Sequence, residues 1–392
     1  MRILYLLQII SPLVGGGEAF FNDIMKRMME KGHEIDIICY NEKTPGLHTR
    51  DLMEKGAKIY SIKPEIQNNG SILLTYGQQA KYIVNAIRKG YQIIKENNVD
   101  IIHANTYTPI IPAVFLGKAL RIPVISTVHH VTLGHWGLWS SQKGIPKITS
   151  LIGPIYERFI LKLPVRTVHV VSDATRVDLY KINHKASIRV ISNGLKIPNS
   201  PNENLRYEKV LLYIGRLVST KNLGVVISAY KDLVLNIPDA RLVIAGAGPL
   251  RTQLEQLVTT NGLDKNITFA GHVPEKVKHD LLCSCSGLIL PSRLEGFGRV
   301  IIEAFAHSKP VLVSNISSLR EIVADGIDGF IIPPDDVEAW TEKMKYILSN
   351  PDNCKTMGIN GLKKLEHKYN LDLTSDELED LYEDTLTNYH SN

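Results

Sequence analysis

The segment VLLYIGRLVSTKN, residues 210–222, begins as an apolar run and turns at a glycine into two positively charged side chains. Its apolar start, Val210–Ile214, is rich in β-branched and aromatic residues and is typical of a buried parallel strand. The apolar residues of the next stretch, Leu223–Leu235, recur with the period of a helix. The same order of strand, glycine turn and helix already occurs at the amino terminus. Residue 210 therefore marks the start of a second unit of the same kind.

Strand-like and helix-like runs alternate along almost the whole chain, which predicts a doubly wound α/β fold. In the first half we predict strands at Ile3–Leu7, Glu34–Tyr40, Ile101–Ala104, Val124–Val128, Thr167–Val171 and Ile188–Ile191. In the second half we predict strands at Val210–Ile214, Arg241–Ala245, Ile267–Ala270, Gly287–Leu290, Val311–Ser314 and Gly329–Ile332. We expect two Rossmann-like domains with parallel sheets that face each other across a cleft.

The length of 392 residues also favours two domains, because a single hydrophobic core rarely grows that large. We predict a first domain at residues 1–195, a second at 196–370 and a final helix at 371–392. The polar segment Leu195–Lys209 contains two prolines, and we predict that it is the linker.

The composition is that of a soluble globular protein, with 44% hydrophobic and 22% charged residues. The first apolar run, ILYLLQII, is too short to span a membrane. The cysteines show neither the spacing of metal ligands nor a disulfide framework; they are Cys39, Cys283, Cys285 and Cys354. We therefore expect a protein of the reducing cytoplasm.

Positive charge is concentrated in the first half of the chain. Residues 1–195 contain 24 Lys and Arg against 14 Asp and Glu, a balance of +10, whereas residues 196–392 contain 21 against 26, a balance of −5. The segment 135–165 combines aromatic and basic side chains, which is typical of a helix on an anionic membrane or at an anionic acceptor. An ordinary solvated basic face is the alternative. We expect Gly153-Pro154 to interrupt this helix.

Three glycines lie between a predicted strand and a predicted helix in VGGGEAFF, residues 14–21. Glycine lets a backbone approach a ligand closely, and a helix start offers N–H groups to a phosphate. The spacing matches neither GxGxxG nor GxxxxGK[ST], which argues against a nicotinamide cofactor and against a P-loop. Such turns also occur without a ligand, so this motif alone does not identify a function.

Charged residues follow two predicted strands of the second half. Arg216 and Lys221 follow one strand, and Glu295, eight residues before Glu303, follows the other. Ligands of doubly wound sheets bind beyond the carboxyl ends of the strands, where two cations would neutralise a diphosphate. Carboxylates accept hydrogen bonds from pairs of hydroxyls, as in a sugar and a ribose, and nothing in the spacing fixes both glutamates around one reacting bond. Solvated surface charges are the alternative.

The sequence PSRLEGFGRVIIEA, residues 291–304, resembles the signature of two glutamates separated by seven residues in retaining glycosyltransferases of the GT-B fold, family 4. Matching motifs cover roughly residues 15 to 336: GGGE, TVHH, VISNG, GRLVSTKN, AGAGPL, GHVP and EIVADGIDGFIIPPDD. The resemblance implies an acceptor-binding first domain, a second domain that binds the nucleotide-sugar, and a final helix that packs back on the first domain.

The resemblance also implies four catalytic positions. Arg216 and Lys221 would clamp the donor diphosphate, and Glu295 would hold hydroxyls of the donor sugar. His129 would lie beside the reacting carbon, although the adjacent His130 competes for that role.

Further residues are implied to bind substrate: Gly16, Gly17, Asn193, Gly215, Val273, Phe297, Gly298, Arg299 and Glu303. The first two would approach the donor phosphates, Glu303 would hold the ribose, and Val273 with Pro274 would line the base. Arg299 stands where the family often has an apolar or small residue, and Ser317-Ser318 replace a glycine pair. These two departures leave the identity of the sugar and of the nucleotide open.

The reaction that the resemblance implies is transfer of a hexose with retention. The loop STVHHV, residues 126–131, offers no acidic nucleophile, so we favour attack on the face from which the phosphate departs. No aspartate pair ends a strand of the first half, and we expect no metal and no cofactor. The alternatives are a sugar-nucleotide epimerase of the same fold and a catalytically silent protein that binds a nucleotide or glycan.

The partners that we expect are a UDP- or GDP-sugar donor and a glycan or lipid-linked acceptor, as in polysaccharide biosynthesis. Nucleic acid is not expected. The basic aromatic segment favours a cytoplasmic protein in peripheral contact with an anionic membrane.

Overall fold

In a computed structural model of the protein, the described residues are 1–8, 15–40, 47–62, 76–132, 136, 149–182, 184–197 and 205–390. They belong to two compact units. Unit 1 comprises Met1–Val131, Ile155–Gly194 and Leu371–Asn392, and unit 2 comprises Thr132–Pro154 and Leu195–Asn370. The predicted first domain, residues 1–195, thus differs from unit 1 by residues 132–154 and by the final helix. Part of the predicted linker, residues 198–204, lies outside the described residues.

Unit 1 contains a parallel sheet of seven described strands in the order β3-β2-β1-β4-β5-β6-β7. These strands are β1 Arg2–Leu6, β2 Glu34–Cys39, β3 Lys58–Ser61, β4 Ile101–Asn105, β5 Val124–Val128, β6 Thr167–Val170 and β7 Ser187–Val190. The described helices that are assigned to unit 1, or that begin just before Ile155, are α1 Gly16–Glu30, α2 Leu47–Glu54, α3 Tyr76–Glu96, α4 Tyr107–Leu120, α5 Thr149–Leu161, α6 Asp173–Lys181 and α14 Leu371–His390.

Unit 2 contains a second parallel sheet, with its six described strands in the order β10-β9-β8-β11-β12-β13. These strands are β8 Val210–Ile214, β9 Arg241–Ala245, β10 Ile267–Gly271, β11 Gly287–Leu290, β12 Val311–Ser314 and β13 Gly329–Ile332. The described helices of unit 2 are α7 Leu223–Asn236, α8 Arg251–Thr260, α9 Glu275–Ser284, α10 Arg299–Ala306, α11 Ser317–Arg320, α12 Val337–Ser349 and α13 Pro351–Lys368.

The predicted strands agree with the observed ones to within about two residues, because the central strands of both sheets are apolar runs buried on both faces. Edge strand β3 was missed, since its sequence KIYS is half-exposed and contains no such run. The expected interruption at Gly153-Pro154 was wrong. Helix α5 continues through Pro154.

The final helix, α14, packs on α1 within unit 1. Lys31, just after α1, forms ion pairs with Asp376 at 2.6 Å and with Glu379 at 2.5 Å. His33 also approaches Glu379, with its Nε2 at 2.6 Å from the carboxylate. The acidic face of α14 is thus matched to basic groups of unit 1, and the buried Leu378, Leu381 and Tyr382 complete the core on the same helix.

A buried chain of hydrogen bonds connects α14 to the centre of the unit 1 sheet. Its far end is the carbonyl of Ile191, which can only accept, so His169 must donate its Nε2 proton across 2.8 Å. Burial lowers the pKa of His169 to about 4, and the ring therefore carries one proton at neutral pH. Its Nδ1 must then accept from the hydroxyl of Thr127 at 2.8 Å.

The same argument fixes the direction of the remaining bonds. The Thr127 hydroxyl accepts from Nε2 of His103 at 2.7 Å, so Nδ1 of that buried neutral ring accepts from the hydroxyl of Tyr382 at 2.7 Å. Burial lowers the pKa of His103 well below its usual value. Tyr382 in turn accepts from Tyr5 at 2.8 Å. Every donor in the chain therefore points away from Tyr5 and towards the β7 edge of the sheet.

Among the described residues, no helix is both long and apolar enough to cross a membrane.

The direction of these hydrogen bonds predicts that two similar substitutions lower the free energy of unfolding by different amounts. Tyr382→Phe leaves buried His103 without its donor and Tyr5 without its acceptor, and we expect it to cost about 2 to 4 kcal/mol of unfolding free energy. Tyr5→Phe removes only the first donor and is expected to cost about 1 kcal/mol. Chemical denaturation followed by circular dichroism measures both, with exposed Tyr180→Phe as the control. Equal costs for the two variants would contradict the direction.

Candidate active site

The point where the strand order of unit 2 reverses lies between β8 and β11, which are neighbours in the sheet. In doubly wound sheets a ligand binds beyond the carboxyl ends of the strands at this reversal point. The two loops that begin there are residues 215–222 and 291–298. A backbone hydrogen bond from Arg293 N to Thr220 O, 2.8 Å long, joins the loops to each other. The topology thus brings two of the predicted motifs to one place.

Lys221 and Glu295 form an ion pair across these two loops, with both side chains about 85% buried. The same carboxylate oxygen, Oε1, accepts a hydrogen bond from Ser292 at 3.0 Å. Ser318 donates to the backbone carbonyl of Glu295 at 2.8 Å. Glu295 is therefore held at its carboxylate and at its main chain. The second of the two serines that replace the family's glycine pair serves this contact.

Lys221 owes its position to an unusual backbone at the next residue. Asn222 follows the short 3₁₀ turn Ser219–Lys221 with φ at 51°, a left-handed conformation that asparagine tolerates better than most residues. Its side chain donates to the carbonyl of Pro334 at 2.8 Å. This bond fixes the turn that carries the lysine.

Arg216 lies at the surface of the loop after β8, and its main chain is anchored from below. The buried Tyr213 donates its hydroxyl proton to the carbonyl of Arg216 at 2.8 Å. A Cβ at Gly215 would lie 2.7 Å from that hydroxyl, so the contact requires glycine. The guanidinium is exposed on the loop that also carries Lys221.

The AGAGPL turn after β9 lies directly against the Arg216 loop. Gly215 N donates to Ala245 O at 3.0 Å, and Leu217 N donates to Ala247 O at 2.9 Å. A Cβ at Gly246 would lie 1.8 Å from the carbonyl oxygen of Gly215, and the φ of 156° at this position is also unfavourable for a side chain. The glycine turn therefore supports the Arg216 loop.

Glu303 lies on α10 between two cations. Its Oε1 is 3.5 Å from Nε of Arg299, and its Oε2 is 3.2 Å from Nζ of Lys278. Burial works against the charge on Lys278, but Glu303 and Glu275 outweigh it and raise the lysine's pKa. Arg299, which departs from the family pattern, is thus a buried ion-pair partner of Glu303, the residue predicted to bind the ribose.

The other predicted positions of unit 2 differ in exposure. Phe297 is buried, with its ring edge-on to Tyr369 at 5.6 Å, so only its backbone amide is suited to a ligand. Gly298 begins α10 with φ at 86°. Val273 is half-buried, and the adjacent Pro274 is exposed at the start of α9.

The remaining predicted residues belong to unit 1. Gly17, in the first turn of α1, lies against the ring of His129 after β5, and a Cβ on the glycine would lie 2.9 Å from the ring. Nε2 of His129 donates to Oδ1 of Asn105 at 2.8 Å, which leaves Nδ1 as an acceptor. Burial lowers the pKa of His129 to about 3, with His169 and His130 as smaller causes, so the ring is neutral at physiological pH.

Three other predicted positions of unit 1 are less closely connected to this group. Gly16 is exposed at the start of α1. Asn193 is buried, and its Oδ1 accepts no hydrogen bond from the described part of the chain. The carbonyl of His130 accepts from Tyr107 at 2.6 Å, a contact of its main chain.

Sequence reasoning missed three residues that orient the predicted ones, Asn105, Lys278 and Ser292, and it named Ser318 without predicting its contact with Glu295. Ser292 and Asn105 carried a usable signal, because each is a polar residue at or just after the carboxyl end of an apolar strand. Lys278 and Ser318 had none, since their contacts connect separate segments of the chain.

Two family models match the chain in succession. Residues 14–197 match the model described as Glycosyltransferase Family 4, and residues 197–364 match the one described as Glycosyl transferases group 1. The chain is a glycosyltransferase. These models describe neither of the two alternatives, an epimerase and a catalytically silent binding protein.

Relatives of this glycosyltransferase share its full length. N-acetyl-alpha-D-glucosaminyl L-malate synthase of Bacillus anthracis is 23% identical over 390 residues, which cover 96% of this chain and 95% of that protein. Phosphatidyl-myo-inositol mannosyltransferase of Mycolicibacterium smegmatis is 22% identical over 388 residues, with 98% and 94% covered.

A solved structure confirms the fold of the glycosyltransferase. Anabaena HepE, solved in complex with UDP-glucose, superposes with a TM-score of 0.77 at 19% identity and covers 98% of this chain and 100% of its own. Together with the two parallel-sheet units, this similarity confirms the predicted GT-B fold.

The support of the Arg216 loop by the AGAGPL turn can be tested with two alanine substitutions. Gly246→Ala places a methyl group against a backbone carbonyl, and we expect it to destabilise the protein by more than about 3 kcal/mol. Gly262→Ala is the control, because that position also has a positive φ, 69°, but has open space around it. We expect it to cost about 1 kcal/mol in the same denaturation experiment. Equal losses would contradict the close approach of the two loops.

Proposed function

We propose that this glycosyltransferase moves a hexose from a UDP- or GDP-sugar to a glycan or lipid-linked acceptor, with retention and without a metal. The observation that carries the proposal is the Lys221 to Glu295 pair at the reversal point of the unit 2 sheet. It joins a cation suited to phosphate with a carboxylate suited to sugar hydroxyls. Such a pair suits a ligand in which a phosphate and a sugar are directly bonded.

Arg216 and Lys221 are the proposed ligands of the diphosphate. A guanidinium and an ammonium on one loop provide charge-assisted hydrogen bonds to phosphate oxygens. The negative charge of the leaving group increases as the bond to the sugar breaks, so these contacts are stronger in the transition state than in the bound donor. Lys221 would then exchange part of its contact with Glu295 for the phosphate, which frees the carboxylate for hydroxyls.

Glu303 is the proposed ligand of the ribose hydroxyls. Lys278 and Arg299 hold its carboxylate in place, and a carboxylate can accept hydrogen bonds from two hydroxyls. The backbone amides of Phe297 and Gly298, at the start of α10, are proposed to donate to the sugar.

We propose front-face substitution as the mechanism. The acceptor oxygen forms a bond to the anomeric carbon, the bond from that carbon to the phosphate oxygen breaks on the same face, and the departing phosphate takes the acceptor's proton. His129 is a poor base, since its pKa is lowered to about 3. Its proposed part is to accept a hydrogen bond from a substrate hydroxyl at Nδ1.

The proposal that no metal takes part in transfer is supported by the state of the Asp335-Asp336 pair. Asp335 contacts Arg293 and lies 3.3 Å from the amide of Asn222. Asp336 caps α12 by accepting from Ala339 N at 3.0 Å. Both carboxylates therefore have structural partners, and the two cations of the Arg216 loop take the place of a metal at the diphosphate.

We expect Arg216→Gln and Lys221→Met each to lower kcat/KM by about 100-fold to 1,000-fold, because each removes charge from the leaving group. Lys231→Met, at an exposed lysine of α7, is the matched control. A panel of UDP- and GDP-sugars is assayed for release of nucleoside diphosphate in excess EDTA, and NMR of the product gives the anomeric configuration. Unchanged turnover in both variants, loss of turnover in EDTA, or an inverted product would each overturn the corresponding part of the proposal.

We further propose that helix α5 holds the glycosyltransferase on an anionic membrane, where a lipid-linked acceptor is available. Leu151, Ile155 and Phe159 recur every four residues and are 72%, 69% and 61% exposed, so they form a continuous apolar stripe on one face. Arg158 and Lys162 are exposed at the end of the same stripe. An apolar face with basic residues along it is suited to a bilayer surface with negative headgroups.

The buried residues of α5 lie on the face opposite the stripe. Ile160 and Leu161 are buried, and so is Glu157, whose Oε1 lies 2.7 Å from the hydroxyl oxygen of Tyr107. The helix thus has its core contacts elsewhere. The neighbouring aromatic and basic residues Trp139, Lys143 and Lys147 lie outside the described residues.

Sedimentation with lipid vesicles tests this stripe. We expect the wild type to bind vesicles rich in phosphatidylglycerol, to bind phosphatidylcholine vesicles weakly, and to dissociate as salt is raised. Ile155→Asn/Phe159→Asn should weaken binding at least about tenfold, because two apolar side chains no longer enter the bilayer. Leu235→Asn is the control, since that leucine is 79% exposed on unit 2. Equal binding of the double variant would exclude α5 as the contact.

A further inference from the structure

Three potential metal ligands meet where α9 approaches the end of α10 in unit 2. His279 and Cys283 are four residues apart on α9 and therefore lie on one face of that helix. His307 immediately follows α10. One ligand atom from each of the three residues lies within 4.8 Å of the other two. The spacing of the cysteines alone does not indicate this group, because two of its three members are histidines.

The His307 ring is already oriented as in a metal site. Nδ1 of His307 donates to the carbonyl of Glu303 at 2.8 Å, so Nε2 carries the lone pair and lies 2.9 Å from Nδ1 of His279. Metal-binding histidines commonly donate their other ring N–H to a carbonyl in this way, which fixes the tautomer. Sγ of Cys283 is 3.5 Å from Nε2 of His279.

The distances and the burial suit a tetrahedral ion. Zinc bonds of about 2.0 Å to nitrogen and 2.3 Å to sulfur separate neighbouring ligand atoms by about 3.3 to 3.8 Å. The exposed His279 ring directs Nδ1 at His307 and Nε2 at Cys283, so metal binding requires this ring to turn until one nitrogen faces both other ligands. Cys283 is buried and His307 half-buried, so the side of His279 is open to solvent for a fourth ligand.

The other cysteines of unit 2 have different surroundings. Sγ of Cys354 lies 3.1 Å from the carbonyl of Ile347, and Sγ of Cys285 lies 3.5 Å from the carbonyl of Leu282. Among the described residues, only the group at His279 brings together three such ligands. Cys354 therefore provides a matched control of similar burial.

We propose that His279, Cys283 and His307 bind a borderline-soft divalent cation such as Zn²⁺, with water as the fourth ligand. The thiol of Cys283 loses its proton to solvent when the metal–sulfur bond forms, and both imidazoles bind as neutral ligands. The ion would tie α9 to α10. Metal binding itself does not depend on the proposed transfer reaction.

Substitution with Co²⁺ tests the site in the full-length protein after removal of metal with a chelator. We expect one equivalent of Co²⁺ to give a thiolate-to-cobalt charge-transfer band and the strong visible absorption of a tetrahedral complex. Cys283→Ser should abolish the charge-transfer band, and His307→Asn should weaken binding by more than about 100-fold. Cys354→Ser and His272→Asn, at an exposed histidine, should behave as the wild type.

Thermal denaturation with Zn²⁺ provides an independent measurement. We expect Zn²⁺ to raise the melting temperature of the wild type and of Cys354→Ser, but not that of Cys283→Ser, because only an intact site gains binding energy on folding. If no thiolate band appears in the wild type, or if Cys283→Ser binds Co²⁺ equally well, the three residues form only a hydrogen-bonded cluster and the proposal is wrong. Either result leaves the test of sugar transfer unaffected.

Discussion

The arrangement of charges in unit 2 depends on the close contact between two loop backbones. Gly246 lies so near the carbonyl of Gly215 that a single methyl group would occupy the same space. The loop after β8 then projects Arg216 and Lys221 from a fixed base, which includes the Tyr213 hydroxyl below it. Because the strand order reverses beside β8, the loop that carries Glu295 is the next one along the sheet edge.

Both glutamates of the signature are charge-paired without any ligand, and this pairing has a common physical reason. A carboxylate that is mostly buried loses its contacts with water, and cations and hydroxyls must replace them. Lys221 and Ser292 do so for Glu295, and Lys278 and Arg299 do so for Glu303. In the proposed complex, hydroxyls of the ligand would bind the glutamates and its phosphates would bind the cations, in place of these contacts. The unusual Arg299 is explained by this requirement.

In unit 1, by contrast, several polar side chains are buried inside the parallel sheet. His103, His129 and His169 are neutral at physiological pH because burial lowers their pKa values, and each donates its single N–H to a partner. The one-way chain of hydrogen bonds that ends at Ile191 includes Tyr382, so α14 is tied to the sheet by polar bonds as well as by apolar packing. Its acidic face meets Lys31 at the surface.

The sequence by itself determined the two parallel sheets, since each central strand is an apolar run that stays buried wherever it is placed. It also determined that Arg216, Lys221 and Glu295 follow strand ends, because the order of strand, loop and helix is a local property. Only the tertiary structure decided which loops touch, which serine holds Glu295, and that His279 and Cys283 meet His307. These contacts join segments tens of residues apart, and local periodicity contains no information about them because they arise from strand order and helix packing.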